Sequence, residues 1–368
     1  MKILVSDDQV DVLEAIRLLL KTAGHQAETA ESPRNALAAS ERGAFDLILM
    51  DMNYSRDTTS GDEGLELLDT LLARDGSVPV IVMTAWSSVD LAVEAMRRGA
   101  VDFIQKPWDN AGLLATIEKQ AHRSKERKKA KSELEIARHV QQRMLPQHAR
   151  ALKTVTFGGR CVPAREIGGD YYDFLELGAG RLGVLLADVS GKGVAAALLT
   201  ANLQASFRSQ LELGVRHGKA LLISVNKLFH ESTPAEYFAT MFYAEYRDQG
   251  RELRYINCGH PAALIVRAGG GIERLEATAL PIGIFGGLKC EEKTVLLGVG
   301  DVLLAVSDGV LEAGVDRGEE FGEDRLIAAV RAAAGDVDGV LDGVLEGVLR
   351  FSPGAQSDDV TVVAVKGV

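Results

Sequence analysis

Carboxylates mark the ends of apolar runs along this chain, where metal-assisted phosphoryl chemistry would need them. In the first third, Asp7-Asp8 follows KILVS, Asp51 follows LILM, Thr84 follows VPVIVM and Lys106-Pro107 follows VDFIQ. Three carboxylates meeting at one point repel one another unless a hard divalent cation sits among them. Mg²⁺ suits such a place, because it accepts one or two carboxylates together with waters and phosphoryl oxygens. Asp51 can then attack a phosphoryl donor and form an acyl phosphate. Thr84 and Lys106 can hold the transferred oxygens. One Asp after a strand is ordinarily a helix cap; five residues at matching places are poorly explained that way.

Four more acidic motifs lie in the remainder. Glu166-Ile-Gly-Gly-Asp170 precedes the aromatic run YYDF. Asp188 ends LGVLLA and begins DVSGKG. Asp308 ends VLLAVS and begins DGV. Asp358-Asp359 precedes VTVVAV. An isolated Asp-Gly is a turn signal, but here glycine also lets backbone approach a ligand closely. No histidine accompanies these residues at a metal-ligand spacing, which disfavours zinc, and all-oxygen ligation points to Mg²⁺ or Mn²⁺. Two such ions about 3.5–4 Å apart can share a bridging water, lower its pKa and aim it in line at a phosphate ester. Asp170, Asp188, Asp308 and Asp358 are the candidates for this phosphomonoester hydrolysis. Spacing leaves open whether Asp358 or Asp359 faces the ions; Asp358 is favoured. No Ser-His-Asp order, CX₅R thiol site or GxxxxGK[ST] loop competes. GGD continues as YYDF, unlike a cyclic-dinucleotide synthase. Asn257 and His260 in NCGHP read as turn-fixing residues.

The elements that must position these groups fall into three segments. Up to about residue 120, strand candidates Lys2–Val5, Gln26–Thr29, Leu47–Met50, Val78–Met83 and Val101–Ile104 alternate with helical patterns such as Val12, Ile16, Leu19, Leu20. Such alternation predicts an α/β domain with a doubly wound five-stranded parallel sheet, its ligand site at the carboxyl ends of the strands. Residues 109–145 lack Pro until Pro146 and carry the basic stretch RSKERKKAK. Leu134, Ala137, Gln141 and Met144 recur there at 3-4-3 spacing. This is either a solvated linker helix or a helix that pairs two copies into a dimer. From about 152 onward, short and period-2 apolar runs (182–187, 238–246, 253–257, 263–267, 302–307, 360–365) dominate. Helical stretches fall at 195–213, 219–231, 324–334 and 337–350, suggesting α+β with antiparallel sheets.

Length and charge set the outer bounds. At 368 residues the chain is expected to hold two or three domains. A formal net charge of −11 argues against a general nucleic-acid binder. Cys161, Cys258 and Cys290 are far apart and form no CxxC pair, so neither disulfide nor zinc is expected. With no apolar run near 18 residues and no basic-then-apolar leader ahead of KILVS, the expectation is a cytoplasmic protein.

Two family resemblances sharpen these readings. SDD, LMDMN, MTAW and FIQKP over residues 1–120 resemble the response-regulator receiver family. That resemblance implies Asp51 as phosphoacceptor for a histidine kinase or small phosphodonor, and Asp7, Asp8, Asp51 and the carbonyl of Asn53 around Mg²⁺. It implies Thr84 as switch hydroxyl, Phe103 as rotating aromatic and Lys106 as the phosphoryl-contacting amine. The loop NYSRDTTSGDE is longer than usual and lacks the usual Pro. Trp86, two residues past Thr84, reads either as a shield over the aspartyl phosphate or as a docking aromatic.

Over about 133–368, EIARHVQQRMLP, EIGGDYYDF, ADVSGKG, FATMFYAEY, NCGHPAALI, LPIGIF, SDGVLEA, EEFGEDRL and SDDVTVV occur in order. They resemble the PPM-type protein phosphatases of the bacterial sporulation and stress-signalling branch. This implies a β-sandwich flanked by helices and a two-metal core (two Mn²⁺ or Mg²⁺). Asp170, Asp188, Asp308 and Asp358 or Asp359 would be ligands, with the backbone carbonyl of Val189, where other branches often have Gly. Arg165 is the stand-in for the substrate-binding arginine of other branches. The expected organisation is a receiver domain at 1–120, a linker helix at 121–150 and a phosphatase domain at 151–368. Phosphorylation would control a serine/threonine phosphatase acting on a small phosphoprotein, such as an anti-sigma-factor antagonist. The alternative is a catalytically silent, phosphorylation-controlled adaptor.

Overall fold

The computed structural model describes all residues except 55–60, 86–88, 147–149, 334 and 355. Most of the long loop after Asp51, and Trp86, therefore lie outside the described residues. The chain divides into two compact units, Met1–Glu133 and Leu134–Val368.

In the first unit β1 (Lys2–Ser6), β2 (Gln26–Ala30), β3 (Leu47–Asp51), β4 (Val80–Ala85) and β5 (Asp102–Lys106) alternate with helices. These are α1 (Val10–Thr22), α2 (Pro33–Arg42), α3 (Asp62–Arg74), α4 (Val89–Arg98) and α5, which begins at Asn110. The sheet is parallel in the order β2-β1-β3-β4-β5. Period-2 side-chain direction sorts each strand between two cores. Leu4, Ile48, Met50 and Val82 face Ala36, Leu65, Leu68 and Ala95. Ile3, Val5, Leu49 and Met83 face Leu13, Ile16, Leu20, Leu113 and Ile117. Both faces are covered, which is why these strands read as unbroken apolar runs. Helix α5 ends at Gln142, so the division between the units falls within it.

The second unit continues with β6 (Arg150–Ala151), β7 (Val155–Val162), β8 (Asp170–Gly178), β9 (Arg181–Val189), α6 (Val194–Glu212) and α7 (Gly218–Ser232). Then come β10 (Ala239–Arg247), β11 (Glu252–Cys258), β12 (Ala263–Val266), β13 (Ile272–Leu275), β14 (Lys293–Leu296) and β15 (Val302–Val306). It closes with α8 (Asp308–Leu311), α9 (Gly322–Ala332), α10 (Val337–Phe351) and β16 (Val360–Gly367). Two antiparallel sheets form, β14-β11-β10-β9-β8 and β13-β12-β15-β16-β7-β6. Their inner faces share one core: Phe174, Val184, Leu186 and Phe242 meet Phe157, Ile265, Val363 and Val365. The outer face of the first sheet is covered by α6 and α7 through Leu203, Phe207, Leu222 and Phe229. The outer face of the second is covered by α9 and α10 through Leu326, Val330, Leu341 and Val344. The result is helix, sheet, sheet, helix, the sandwich expected from the sequence. Several strands were not anticipated: β7, β8 and the short β6, β13 and β14. The three cysteines are free. Among the described residues no helix is long and apolar enough to cross a membrane.

Candidate active site and phosphoacceptor cluster

The central strands of the first sheet deliver their carboxyl ends to one place. Asp7 is fully buried just past β1 and Asp51 is almost so at the end of β3. Carboxyl oxygens of Asp7, Asp8 and Asp51 all lie within 4.8 Å of one another. Lys106, the last residue of β5, reaches across from the sheet edge. Its Nζ donates to Asp7 Oδ2 at 2.7 Å and lies 3.1 Å from Asp51 Oδ1. The other Asp7 oxygen accepts from the Gln9 N–H at 2.9 Å. Burial pushes the Asp51 carboxyl up to about 6, and Asp7 adds to this while Lys106 opposes it. One ammonium cannot balance three carboxylates at this spacing, so the cluster fits a hard divalent cation. The side-chain oxygen of Asn53 is buried there without a hydrogen-bond partner.

Thr84 is buried on β4, whose neighbour Ala85 pairs with Lys106. Phe103 stands on β5 with 47% exposure. Tyr54, which lacks a sequence signal, sits close enough to the cluster for Asp51, Asp7 and Asp8 to act on it, and its hydroxyl meets Ser6 Oγ at 2.8 Å. Burial raises that phenol further above its ordinary range, so it serves as a neutral prop.

The second unit gathers its carboxylates at one end of the sandwich. Asp170 opens β8 and Asp188 lies one residue from the end of β9, and the two are direct cross-strand partners. Cross-strand partners project to the same face. Asp308 begins α8 one residue after β15, and Asp358-Asp359 immediately precedes β16. The carboxylates act on one another's ionisation. Burial pushes Asp188 up to about 7, reinforced by Asp308, Asp358 and Asp359. Asp308 is raised by burial and by Asp358. Asp170 is raised well above the ordinary range by burial, then Asp188 and Asp359. Its Oδ2 is buried with no hydrogen-bond partner. A buried carboxylate oxygen near other carboxylates is costly unless a cation joins them. These residues therefore fit divalent ions with oxygen ligands. They are spread more widely than the first cluster, whose three-carboxylate spacing within 4.8 Å has no second instance among the described residues.

The adjacent aspartates have different surroundings. Asp359 is buried and spends both oxygens on backbone: Oδ1 accepts from Ala164 N at 2.8 Å, Oδ2 from Gly169 N at 2.7 Å and Asp170 N at 3.3 Å. Asp358 is partly exposed; its Oδ2 lies 2.8 Å from Lys192 Nζ and its Oδ1 accepts from Asp359 N at 2.9 Å. The EIGGD segment fits only as glycine at two places. A Cβ on Gly168 would fall 2.1 Å from Asp359 Oδ2, and one on Gly169 would fall 2.8 Å from the Val189 carbonyl oxygen. That close approach leaves the Val189 carbonyl beside Asp188, whose Oδ1 would be 3.4 Å from the same Cβ.

A narrow cleft here is lined by Arg165, Gly169, Asp188, Lys192, Asp358 and Asp359. Arg165 is exposed at its rim. Lys192, from DVSGKG, was missed as a site residue. Its Nζ also donates to Ser357 O at 3.0 Å, and Asp358 holds the ammonium charged. The only available signal was a glycine-flanked lysine four residues past an aspartate.

Asn257 and His260 lie within the fold. Asn257 Oδ1 accepts from His260 N at 2.8 Å, and Asn257 Nδ2 donates to Leu275 O at 3.1 Å. His260 Nδ1 and Thr240 Oγ1 are 2.9 Å apart. Burial lowers His260 to about 4, so between about pH 6.5 and 4 the unfolded chain binds a proton that the folded chain refuses. Stability is therefore complete above about pH 6.5 and is lost as pH falls through that window. We expect His260→Asn to start less stable near pH 7 but to lose less on acidification. Urea unfolding at about pH 7 and about pH 4.5 checks this; equal acid sensitivity in both proteins contradicts it.

Residues 178–367 match the family model of stage II sporulation protein E (SpoIIE), and residues 3–118 match that of the response regulator receiver domain. The chain is similar to the phosphoserine phosphatase RsbU of Bacillus subtilis (strain 168), 32% identical over 189 residues, covering 51% of this chain and 56% of RsbU. It is 30% identical over 185 residues to phosphoserine phosphatase RsbP of the same organism, covering 50% of this chain and 46% of RsbP. The chain thus spans about half the length of these curated relatives. A solved structure of the PP2C phosphatase domain with a fragment of the regulatory domain of SpoIIE, also from Bacillus subtilis, aligns with TM-score 0.52 and 25% identity. It covers 58% of this chain and 63% of that one.

Proposed function

Because the chain belongs to the stage II sporulation protein E family and carries a receiver domain, we propose that it is a metal-dependent phosphoserine/phosphothreonine phosphatase controlled by phosphorylation of Asp51. The observation that carries this reading is the gathering of Asp170, Asp188, Asp308 and Asp358, with one Asp170 oxygen buried and unpartnered. We assign residues 1–120 to the receiver, 121–150 to the linker and 151–368 to the phosphatase. A pair of Mn²⁺ or Mg²⁺ ions, when bound, activates water and neutralises phosphoryl charge. The chain's own residues do the rest. Asp170, Asp188, Asp308, Asp358 and the Val189 carbonyl would hold the ions, and Asp358 is preferred over Asp359 because it is partly exposed at the cleft, whereas Asp359 is buried and serves three backbone N–H groups. Lys192 stands at the cleft to meet a substrate phosphate, with Arg165 at the rim.

In the receiver, Asp7, Asp8, Asp51 and Asn53 would hold Mg²⁺. Asp51 takes the phosphoryl group from a histidine kinase or small phosphodonor, while Lys106 and Thr84 receive its oxygens. Phe103, half-exposed, is free to change rotamer. The partner that gives up phosphate is a small phosphoprotein of the anti-sigma-factor-antagonist kind, and the enzyme works in the cytoplasm as a homodimer paired along α5. Ile136 and Val140, exposed one turn apart on that helix, support the pairing.

Control of this kind is a shift between two arrangements with different contacts. Beryllofluoride bound at Asp51 is expected to change Mn²⁺-dependent phosphate release from p-nitrophenyl phosphate by at least about fivefold. Asp51→Asn should remove the response. Activity that ignores beryllofluoride would reject control by the receiver, and absence of Mn²⁺-dependent release would favour the silent adaptor. Solution mass measured on the same samples tests the dimer.

A further inference from the structure

The EIGGD segment is gripped from two sides, and one grip comes from the linker helix. Gln141, next to the last residue of α5, makes two reciprocal hydrogen bonds with one residue, Gly168, through the peptide groups on either side of it. Its Nε2 donates to Gly168 O at 2.7 Å, and its Oε1 accepts from Gly168 N at 3.0 Å. Both halves of the amide are used, which fixes its orientation. The neighbouring Gly169 is held by other elements: its N–H by Asp359, its carbonyl by Thr200 Oγ1 at 2.9 Å and by Val189 N at 3.3 Å. Asp170 follows directly. The residue held by Gln141 is thus two positions from Asp170 and its unpartnered oxygen, and no side chain can intrude between Gly168 and Asp359. Among the four residues of the predicted seam, Gln141 is the polar one, and its amide is committed to its own unit.

We propose that Gln141 is a positioning residue for the divalent-ion site, setting the height of Asp170 and of the Gly169–Val189 contact by clamping the backbone on both sides of Gly168. The proposal rests on reading Asp170 as an ion ligand. Groups that orient a ligand from behind change metal affinity by about 10–100-fold when removed. A clamp at the end of a helix also gives any shift or rotation of that helix a direct route to the ligand, because the two hydrogen bonds grip the successive peptide groups that flank Gly168.

The test uses the full chain, freed of metal by chelation and titrated with Mn²⁺. Ion binding is read as the rise in unfolding temperature, with phosphate release from p-nitrophenyl phosphate measured alongside. Gln141→Leu matches the side chain's bulk but makes neither bond. Its Mn²⁺ concentration for half-maximal stabilisation, read against its own metal-free unfolding temperature, should rise about tenfold; that metal-free temperature itself falls, because the buried Gly168 N–H and C=O lose their partners. Phosphate release at low Mn²⁺ should fall in step and recover largely in excess Mn²⁺. Gln141→Glu, which keeps an accepting oxygen and loses the donor, should lie between, and it carries the test if the Leu variant does not fold. A half-saturating concentration within about twofold of the wild type in the folded variant overturns the inference and leaves the metal reading intact. A wild-type chain that Mn²⁺ does not stabilise overturns both.

Discussion

Asp188→Asn is expected to lower Mn²⁺-dependent kcat/KM by about a thousandfold or more, while making the metal-free chain harder to unfold. Asp188 is the carboxylate that Asp308, Asp358 and Asp359 all act upon, and it faces Asp170 across the strand pair. Metal polarisation of water and phosphoryl oxygen contributes several kcal/mol, and about 4 kcal/mol corresponds to a thousandfold in rate. The stability effect has the opposite sign. The folded-state pKa of Asp188 is raised from the ordinary 3.8 to about 7. Between those values the folded chain keeps a proton that the unfolded chain has released, so stability falls as pH rises through the window and stays lowered above it. Asparagine carries no such penalty. Urea unfolding at about pH 8 in chelator should therefore favour the variant, and added Mn²⁺ should stabilise the wild type more. An active Asp188→Asn enzyme, or a metal-free variant weaker than the wild type, contradicts this account.

Asp359→Ala is expected to destabilise the second unit by about 3–5 kcal/mol, with activity lost through unfolding. Its carboxylate is the shared acceptor for the N–H groups of Ala164, Gly169 and Asp170. Truncation leaves those donors without a partner, at about 1–3 kcal/mol for each buried donor, and the partly exposed Ala164 limits the total. Asp359→Asn should be milder, because one oxygen still accepts while the new amide opposes an N–H. Denaturant unfolding of the three proteins separates these cases. A loss under about 1 kcal/mol for the Ala variant would mean that Asp359 is not the keystone of the segment.

The chemistry was more legible in the sequence than the strands that carry it. Asp7, Asp8, Asp51 and Lys106 follow apolar runs, so their convergence came from the rule for parallel sheets, and the structure places them within a few ångströms. Strand β8 escaped because both its faces are buried. Tyr171 and Leu175 point into the helix-covered core, Tyr172 and Phe174 into the core between the sheets. No polar alternation survives. Asp173 is a charge inside a strand, answered by Arg208 and the Tyr171 hydroxyl, partners that only the fold supplies. Strands β13 and β14 have four residues each and half-exposed patterns, too short to give a period. The different duties of Asp358 and Asp359 were likewise unreadable, since identical neighbours differ only in what the backbone offers them. Gln141 was read as a seam position, because a hydrogen bond to a peptide 27 residues away leaves no periodic trace.

The pairing of Asp170 with Asp188 also bears on how the second unit finds its fold. In an antiparallel pair, sliding one strand by a single residue turns all its side chains to the opposite face. A mispaired β8 would carry its carboxylate away from its partner, and the misaligned sheet would bind a cation less tightly with one of its carboxylates gone. Divalent ions would thus discriminate between correct and slipped pairings, rewarding only the chain in which residues 170 and 188 meet. Refolding with Mn²⁺ present would then act as a form of proofreading carried out by the same pair of side chains that the proposed ion site uses.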